Sequence, residues 1–122
     1  MTPSLAGFRI LIAEDSWHIA DAVRRALLQH GAVVVELVSS RQDLIAALGS
    51  ARPDLVVADI NLQGELVGDL LAAEAAAGQK VLAITGYDDE VTRLAERGVT
   101  ALAKPVSPDR LVAAVSHLLK GA

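Results

Sequence analysis

Residues 54–59 read Asp54-Leu55-Val56-Val57-Ala58-Asp59, a run of small and β-branched apolar side chains that opens after Pro53 and closes on a carboxylate. A strand buried on both faces needs such an unbroken apolar block, whereas a half-exposed strand alternates with polar residues. Four further stretches read the same way: 8–13 (FRILIA), 32–38 (AVVVELV), 80–85 (KVLAIT) and 99–103 (VTALA). Between them the apolar residues change to helical spacing. Ile19, Val23, Ala26 and Leu27 recur before a stop at His30-Gly31, and Leu44, Ile45 and Leu48 recur before Gly49. Residues 64–77 are rich in Ala and Leu and stop at Gly78, residues 88–97 stop at Gly98, and a last helix runs to Leu119. Ser39 or Ser40 is the expected cap of the second helix, and Ser107 or Asp109 that of the last. The pattern is βα repeated five times, which predicts an α/β domain with a five-stranded parallel sheet, doubly wound as (βα)5.

The 122 residues suit one domain over 1–122. Its ordered core is expected over about residues 7–120, with loose ends on either side. Phe8, Trp17 and Tyr87 are the only aromatics, so a base-stacking surface is not expected. Net charge is −4 with no basic run, which speaks against nucleic acid as a partner. The absence of Cys excludes disulfides and thiolate-ligated zinc. No apolar stretch reaches the ~20 residues of a membrane span. The N-terminus lacks the basic and apolar regions of a secretory signal, so a cytoplasmic location is the expectation.

In an open parallel sheet, sites form beyond the carboxyl ends of the strands. Glu14 and Asp15 stand after the first strand, Asp59 ends the third, Thr85 ends the fourth, and Lys104-Pro105 follow the fifth. Helix capping alone accounts for a single Asp at such a place. It does not account for three carboxylates, a hydroxyl and an ammonium at one sheet edge. Three crowded carboxylates call for a cation, and all-oxygen ligation suits Mg²⁺ or Mn²⁺. Asp59 could then attack phosphorus and become an acyl phosphate, with cation and Lys104 neutralising the phosphoryl charge and Thr85 hydrogen-bonding it.

At these residues the chain resembles the response-regulator receiver family, over residues 8–119. The acidic pair matches Glu14-Asp15, the phosphoacceptor matches Asp59, 44 residues beyond Asp15, and the Thr and Lys-Pro positions match Thr85 and Lys104-Pro105. The resemblance implies the flavodoxin-like strand order 2-1-3-4-5 and a backbone carbonyl ligand to the metal from Asn61. It also implies a phosphodonor that is a sensor histidine kinase or a histidine phosphotransfer protein, a downstream protein partner, and a monomer or weak dimer. Phosphorylation in the family draws the Thr inward and rearranges the fourth-strand, fourth-helix and fifth-strand surface. Most receivers carry Tyr or Phe three residues before the Lys; here that residue is Ala101. The segment from Thr85 to Lys104 is short, so an abbreviated fourth helix is expected. Thr85-Gly86-Tyr87 with Asp59-Ile60-Asn61-Leu62 is similar to the atypical receiver group nicknamed FATGUY, although Leu82-Ala83-Ile84 replaces its aromatic run.

Tyr87 is expected at the rim of the site, either shielding an acyl phosphate or simply packing on the short helix. Trp17 is an exposed anchor or a partner contact. His18, His30 and His117 are read as surface residues, and Gly64 and Gly68 as backbone relief near the acceptor loop. The competing functions are a pseudo-receiver that binds proteins without taking phosphate, an Asp-nucleophile phosphatase and a flavin-binding domain. The phosphatase would need a second Asp where Asn61 stands, and the flavin domain a Ser/Thr-rich phosphate loop where Glu14-Asp15 stand.

Overall fold

The computed structural model describes residues 4–121; of the loose ends expected on either side of 7–120, residues 1–3 and 122 lie outside the described residues, while Gly121 caps the last helix with its N–H on the His117 carbonyl. The five long apolar runs form β1 (Arg9–Ala13), β2 (Val33–Val38), β3 (Leu55–Asp59), β6 (Lys80–Thr85) and β7 (Thr100–Ala103). All neighbours are parallel, in the order β2-β1-β3-β6-β7. Counting only these five, the order is 2-1-3-4-5, as the resemblance implies.

Side chains alternate across a strand, and this sorts the core into two layers. Leu11 and Ala13, Val56 and Ala58, and Val81 and Ala83 face one way and pack with Leu44 and Ala47 of α2 (Arg41–Ala51) and Leu71 and Ala72 of α3 (Gly68–Ala76). Ile10 and Ile12, Leu55 and Val57, and Leu82 and Ile84 face the other way. They pack with Val23 and Leu27 of α1 (Trp17–Gln29) and Leu111 and Val115 of α5 (Pro108–Lys120). Packing starts ahead of residue 7: Leu5 is fully buried and its N–H donates to the His30 carbonyl at 2.7 Å.

The caps resolve to Ser40 and Ser107. Their hydroxyls accept the N–H groups of Asp43 and Arg110, and Asp109 falls within the first turn of α5. The fourth helix, α4 (Asp88–Glu96), is short as expected, and Leu94 is its one buried residue. Asp88, Asp89 and Glu90 in its first turn favour the positive end of the helix dipole.

The expected helix over 64–77 requires correction. Asn61–Leu62 and Glu65–Leu66 form a small antiparallel hairpin, β4-β5, and α3 begins only at Gly68. The cause is local. Gln63 and Gly64 take φ of 54° and 85°, which no α-helix accommodates, and the Val67 N–H is held by the Ile60 carbonyl at 2.7 Å.

Burial sets the expected mutational scale. Leu82→Ala, at a fully buried position, should cost about 2–5 kcal/mol in urea unfolding. Leu66→Ala, on the exposed hairpin, should lie within about 0.5 kcal/mol of wild type. Equal costs would contradict the layer assignment.

Candidate functional site

Because the strands are parallel, their carboxyl ends share one edge. The pairings Ala13↔Ala58, Asp59↔Ile84 and Thr85↔Ala103 bring Glu14, Asp15, Asp59, Thr85 and Lys104 to that edge together. Four polar or charged residues are buried among the described residues, and three of them, Glu14, Asp59 and Thr85, stand here.

Glu14, Asp15 and Asp59 each offer an oxygen within 4.8 Å of the others. Lys104 Nζ donates to Asp59 Oδ2 and lies 3.6 Å from Glu14 Oε2. The Asn61 N–H donates to Asp59 Oδ1 at 2.9 Å, and the Ser16 N–H to Glu14 Oε1 at 3.0 Å. Thr85 Oγ1 accepts the Tyr87 N–H at 3.1 Å, which leaves the hydroxyl proton free to donate elsewhere. Asp15, Asp59, Asn61, Thr85, Tyr87 and Lys104 line an open cavity of about 510 Å³, which Ile60, Gly64 and Gly86 complete. The five residues picked out at the strand ends therefore come together, with Asn61 and Tyr87 on the same cavity wall and Glu14 buried beside Asp59.

The electrostatics of this edge are unbalanced: three carboxyl groups face one ammonium. Burial, reinforced by the Asp59 charge, pushes the Glu14 carboxyl up to about 7 against the pull of the Ser16 N–H and Lys104. Burial works against the Lys104 ammonium too, but its bond to Asp59 and the charges of Asp59 and Glu14 win and raise its pKa. Glu14 Oε2 is buried and accepts no hydrogen bond. A buried carboxylate oxygen without a donor is costly, and a hard divalent cation relieves that cost. The oxygen-only donor set fits Mg²⁺ or Mn²⁺.

Sequence reasoning missed one contributor. The backbone N–H of Gln63, at the tip of β4-β5, donates to Asp15 Oδ2 at 2.7 Å. The Gln63-Gly64 pair between Leu62 and Glu65 was the available signal, since two-residue hairpins use such pairs with positive φ. Ala101, where most receivers carry an aromatic, is half-buried in mid-β7 opposite Ala83. Trp17 is exposed and stacks edge-on with His18. The His30 ring bonds the Ala26 carbonyl at 2.9 Å near the end of α1.

The response regulator receiver domain model matches residues 10–116. The chain belongs to that family. Solved structures agree on the fold. PhyR from Brucella abortus superposes with a TM-score of 0.82 at 26% identity, over 96% of this chain and 49% of that one. A double mutant of the anti-anti-sigma factor PhyR from Bartonella quintana gives 0.81 at 23%, over 95% and 49%. The isolated receiver domain of RcsB from Salmonella enterica serovar Typhimurium, in the presence of the phosphomimetic BeF3-, gives 0.83 at 18%, over 93% and 89%. The chain spans about half the length of the PhyR chains it matches.

The Glu14 shift makes a pH prediction. Between pH 4.5 and about 7 the folded state holds the Glu14 proton more tightly than the unfolded chain, so stability falls as pH rises through that window. In chelator, Glu14→Gln should therefore raise Tm by several degrees at pH 8 and by much less at pH 4.5. A gain of the same size at both pH values would contradict the burial penalty on this carboxylate.

Proposed function

We propose that this domain accepts a phosphoryl group on Asp59 from a phosphohistidine on a sensor histidine kinase or histidine phosphotransfer protein. The observation that carries the reading is the convergence of Asp59, Lys104, Thr85, Glu14 and Asp15 at one sheet edge, four of them lining the open cavity and Glu14 buried beside Asp59 and Lys104. Glu14, Asp15, Asp59 and the Asn61 carbonyl would hold Mg²⁺ (or Mn²⁺), which supplies charge neutralisation for the phosphoryl oxygens.

An Asp59 carboxylate oxygen attacks phosphorus, the P–N bond to the donor histidine breaks, and the imidazole leaves with the bond's electron pair. Asp59 is acceptor-only when ionised, so it needs no base to activate it. Lys104 exchanges its bond with Asp59 for one with a phosphoryl oxygen. Thr85 donates its free hydroxyl proton to another. That re-aims the oxygen that now accepts the Tyr87 N–H, so the change reaches the Gly86-Tyr87 segment and α4, which Leu94 alone anchors by burial. The route does not need an aromatic at position 101, and it suits a receiver of the FATGUY kind. A new dianionic group biasing a weakly held surface is a general switching device. The surface so altered is the one proposed to meet the downstream protein. The PhyR similarity makes a transcription-regulating partner protein one candidate class for it.

Incubation with acetyl phosphate and Mg²⁺, followed by intact mass spectrometry, should show one added phosphoryl group on the wild type. Asp59→Asn and chelated samples should show none. Modification that persists in Asp59→Asn would overturn the assignment. If neither acetyl phosphate nor a histidine phosphotransfer protein labels the wild type, the pseudo-receiver reading takes its place. In the same assay Tyr87→Ala should shorten the lifetime of the phosphoprotein several-fold, because the exposed ring at the cavity rim then no longer screens the acyl phosphate from water. An unchanged lifetime would assign Tyr87 to packing alone.

A further inference from the structure

The β4-β5 hairpin lies on the carboxylate cluster through its backbone. The Asn61 N–H donates to Asp59 Oδ1 and the Gln63 N–H to Asp15 Oδ2, while the Asn61 side-chain oxygen accepts the Gly64 N–H at 2.9 Å and closes the turn. Asp15 is exposed, and an exposed carboxylate otherwise samples several rotamers. Its contact with Gln63 spans 48 residues of sequence, so only the hairpin's fold delivers that donor.

The hairpin itself is held at a cost. Gln63 occupies the left-handed region at φ 54°, beside Gly64 at φ 85°. A non-glycine residue there is disfavoured and persists where the surroundings fix it. The turn's hydrogen bonds to Asn61 and Asp15 supply that fixing. Few other contacts do: Gln63, Gly64, Glu65 and Leu66 are all exposed. The base of the hairpin is tied by the β4-β5 pairing, by the Val67 N–H on the Ile60 carbonyl and by buried Leu62, and the Arg41 guanidinium adds a long bond to the Leu66 carbonyl at 3.3 Å; none of these reaches Gln63 or Gly64 at the tip.

We infer that the Gln63-Gly64 turn is a positioning element for cation binding: the Gln63 N–H presets the Asp15 carboxylate in the ligating arrangement, and the Gly64 N–H, held by the Asn61 side chain, keeps the turn closed. This rests on the reading of Asp15 as a metal ligand. Partners that orient metal ligands commonly matter by about 10- to 100-fold in affinity. Linkage makes the effect mutual: a cation that fixes Asp15 also orders the turn.

The test is Mn²⁺ binding to the whole chain, followed by the electron paramagnetic resonance of the free ion, with hydrogen exchange as a second readout. Gly64→Val imposes a β-branched residue at φ 85°, yet a Cβ there meets nothing within 4 Å, so it perturbs the turn without a clash. Gly78→Val repeats that backbone insult at φ 101°, also in open space, beyond α3. Gly64→Val should bind Mn²⁺ about tenfold or more weakly, while Gly78→Val matches the wild type. Mn²⁺ should slow exchange at the Gln63 amide in the wild type, and Asp15→Ala should speed it without metal. If Gly64→Val binds like the wild type, or Gly78→Val loses as much, the hairpin does not position Asp15 and the cation site stands without it. A wild type that binds no Mn²⁺ overturns the ligand reading and the hairpin's role together. In that case unchanged Gln63 exchange in Asp15→Ala would remove the hydrogen bond as well.

Discussion

The structure depends on a conflict of charge at the sheet's carboxyl edge. Glu14, Asp15 and Asp59 crowd one side and, among the described residues, Lys104 alone answers them. Like charges at this spacing repel strongly where water is excluded, and one ammonium cannot satisfy three carboxylates. The fold tolerates the conflict because each residue is delivered by a strand end whose position the buried sheet fixes. Moving any of them would mean breaking the parallel register behind it. The result is a stiff frame carrying an unsatisfied site.

That frame explains why so plain a core suffices. Alternation along three central strands divides aliphatic side chains between two layers, each covered by helices, and only partly buried Phe8 adds an aromatic ring at the margin of one of them among the described residues. The elements around the site are held much less firmly. α4 buries one residue, and the hairpin buries Leu62 but exposes everything from Gln63 to Leu66. Segments with few buried contacts are those that open and rearrange most readily. Rigidity behind the carboxylates and looseness in front of them is the arrangement that the proposed phosphorylation of Asp59 would need in order to be read at the surface.

Most of this architecture was legible from residue order because it rests on short-range rules. Continuous apolar runs such as 54–59 mark strands buried on both faces, and Gly78 and Gly98 mark helix ends. Parallel order then forces Glu14, Asp59, Thr85 and Lys104 to one edge. The hairpin escaped because Ala- and Leu-rich composition from residue 70 onward masked the turn before it. Its two central residues adopt positive φ, and only one is glycine. The Gln63–Asp15 hydrogen bond escaped for a different reason: it is made by a backbone group across 48 positions, and no side-chain pattern records it. The elevated Glu14 pKa likewise belongs to three-dimensional burial, which a lone acidic residue after a strand does not announce.

If the uncompensated carboxylate cluster takes up a divalent cation, as proposed, the cation stabilises the folded chain. Thermal unfolding at pH 8, with and without millimolar MgCl₂, measures this directly, because a ligand that binds only the folded state stabilises it by mass action. The wild type should melt several degrees higher with Mg²⁺. The response should shrink in Asp59→Asn, which removes one of the three negative charges. A wild-type melting temperature indifferent to Mg²⁺, with Lys104 alone sufficient to balance the edge, would contradict the account.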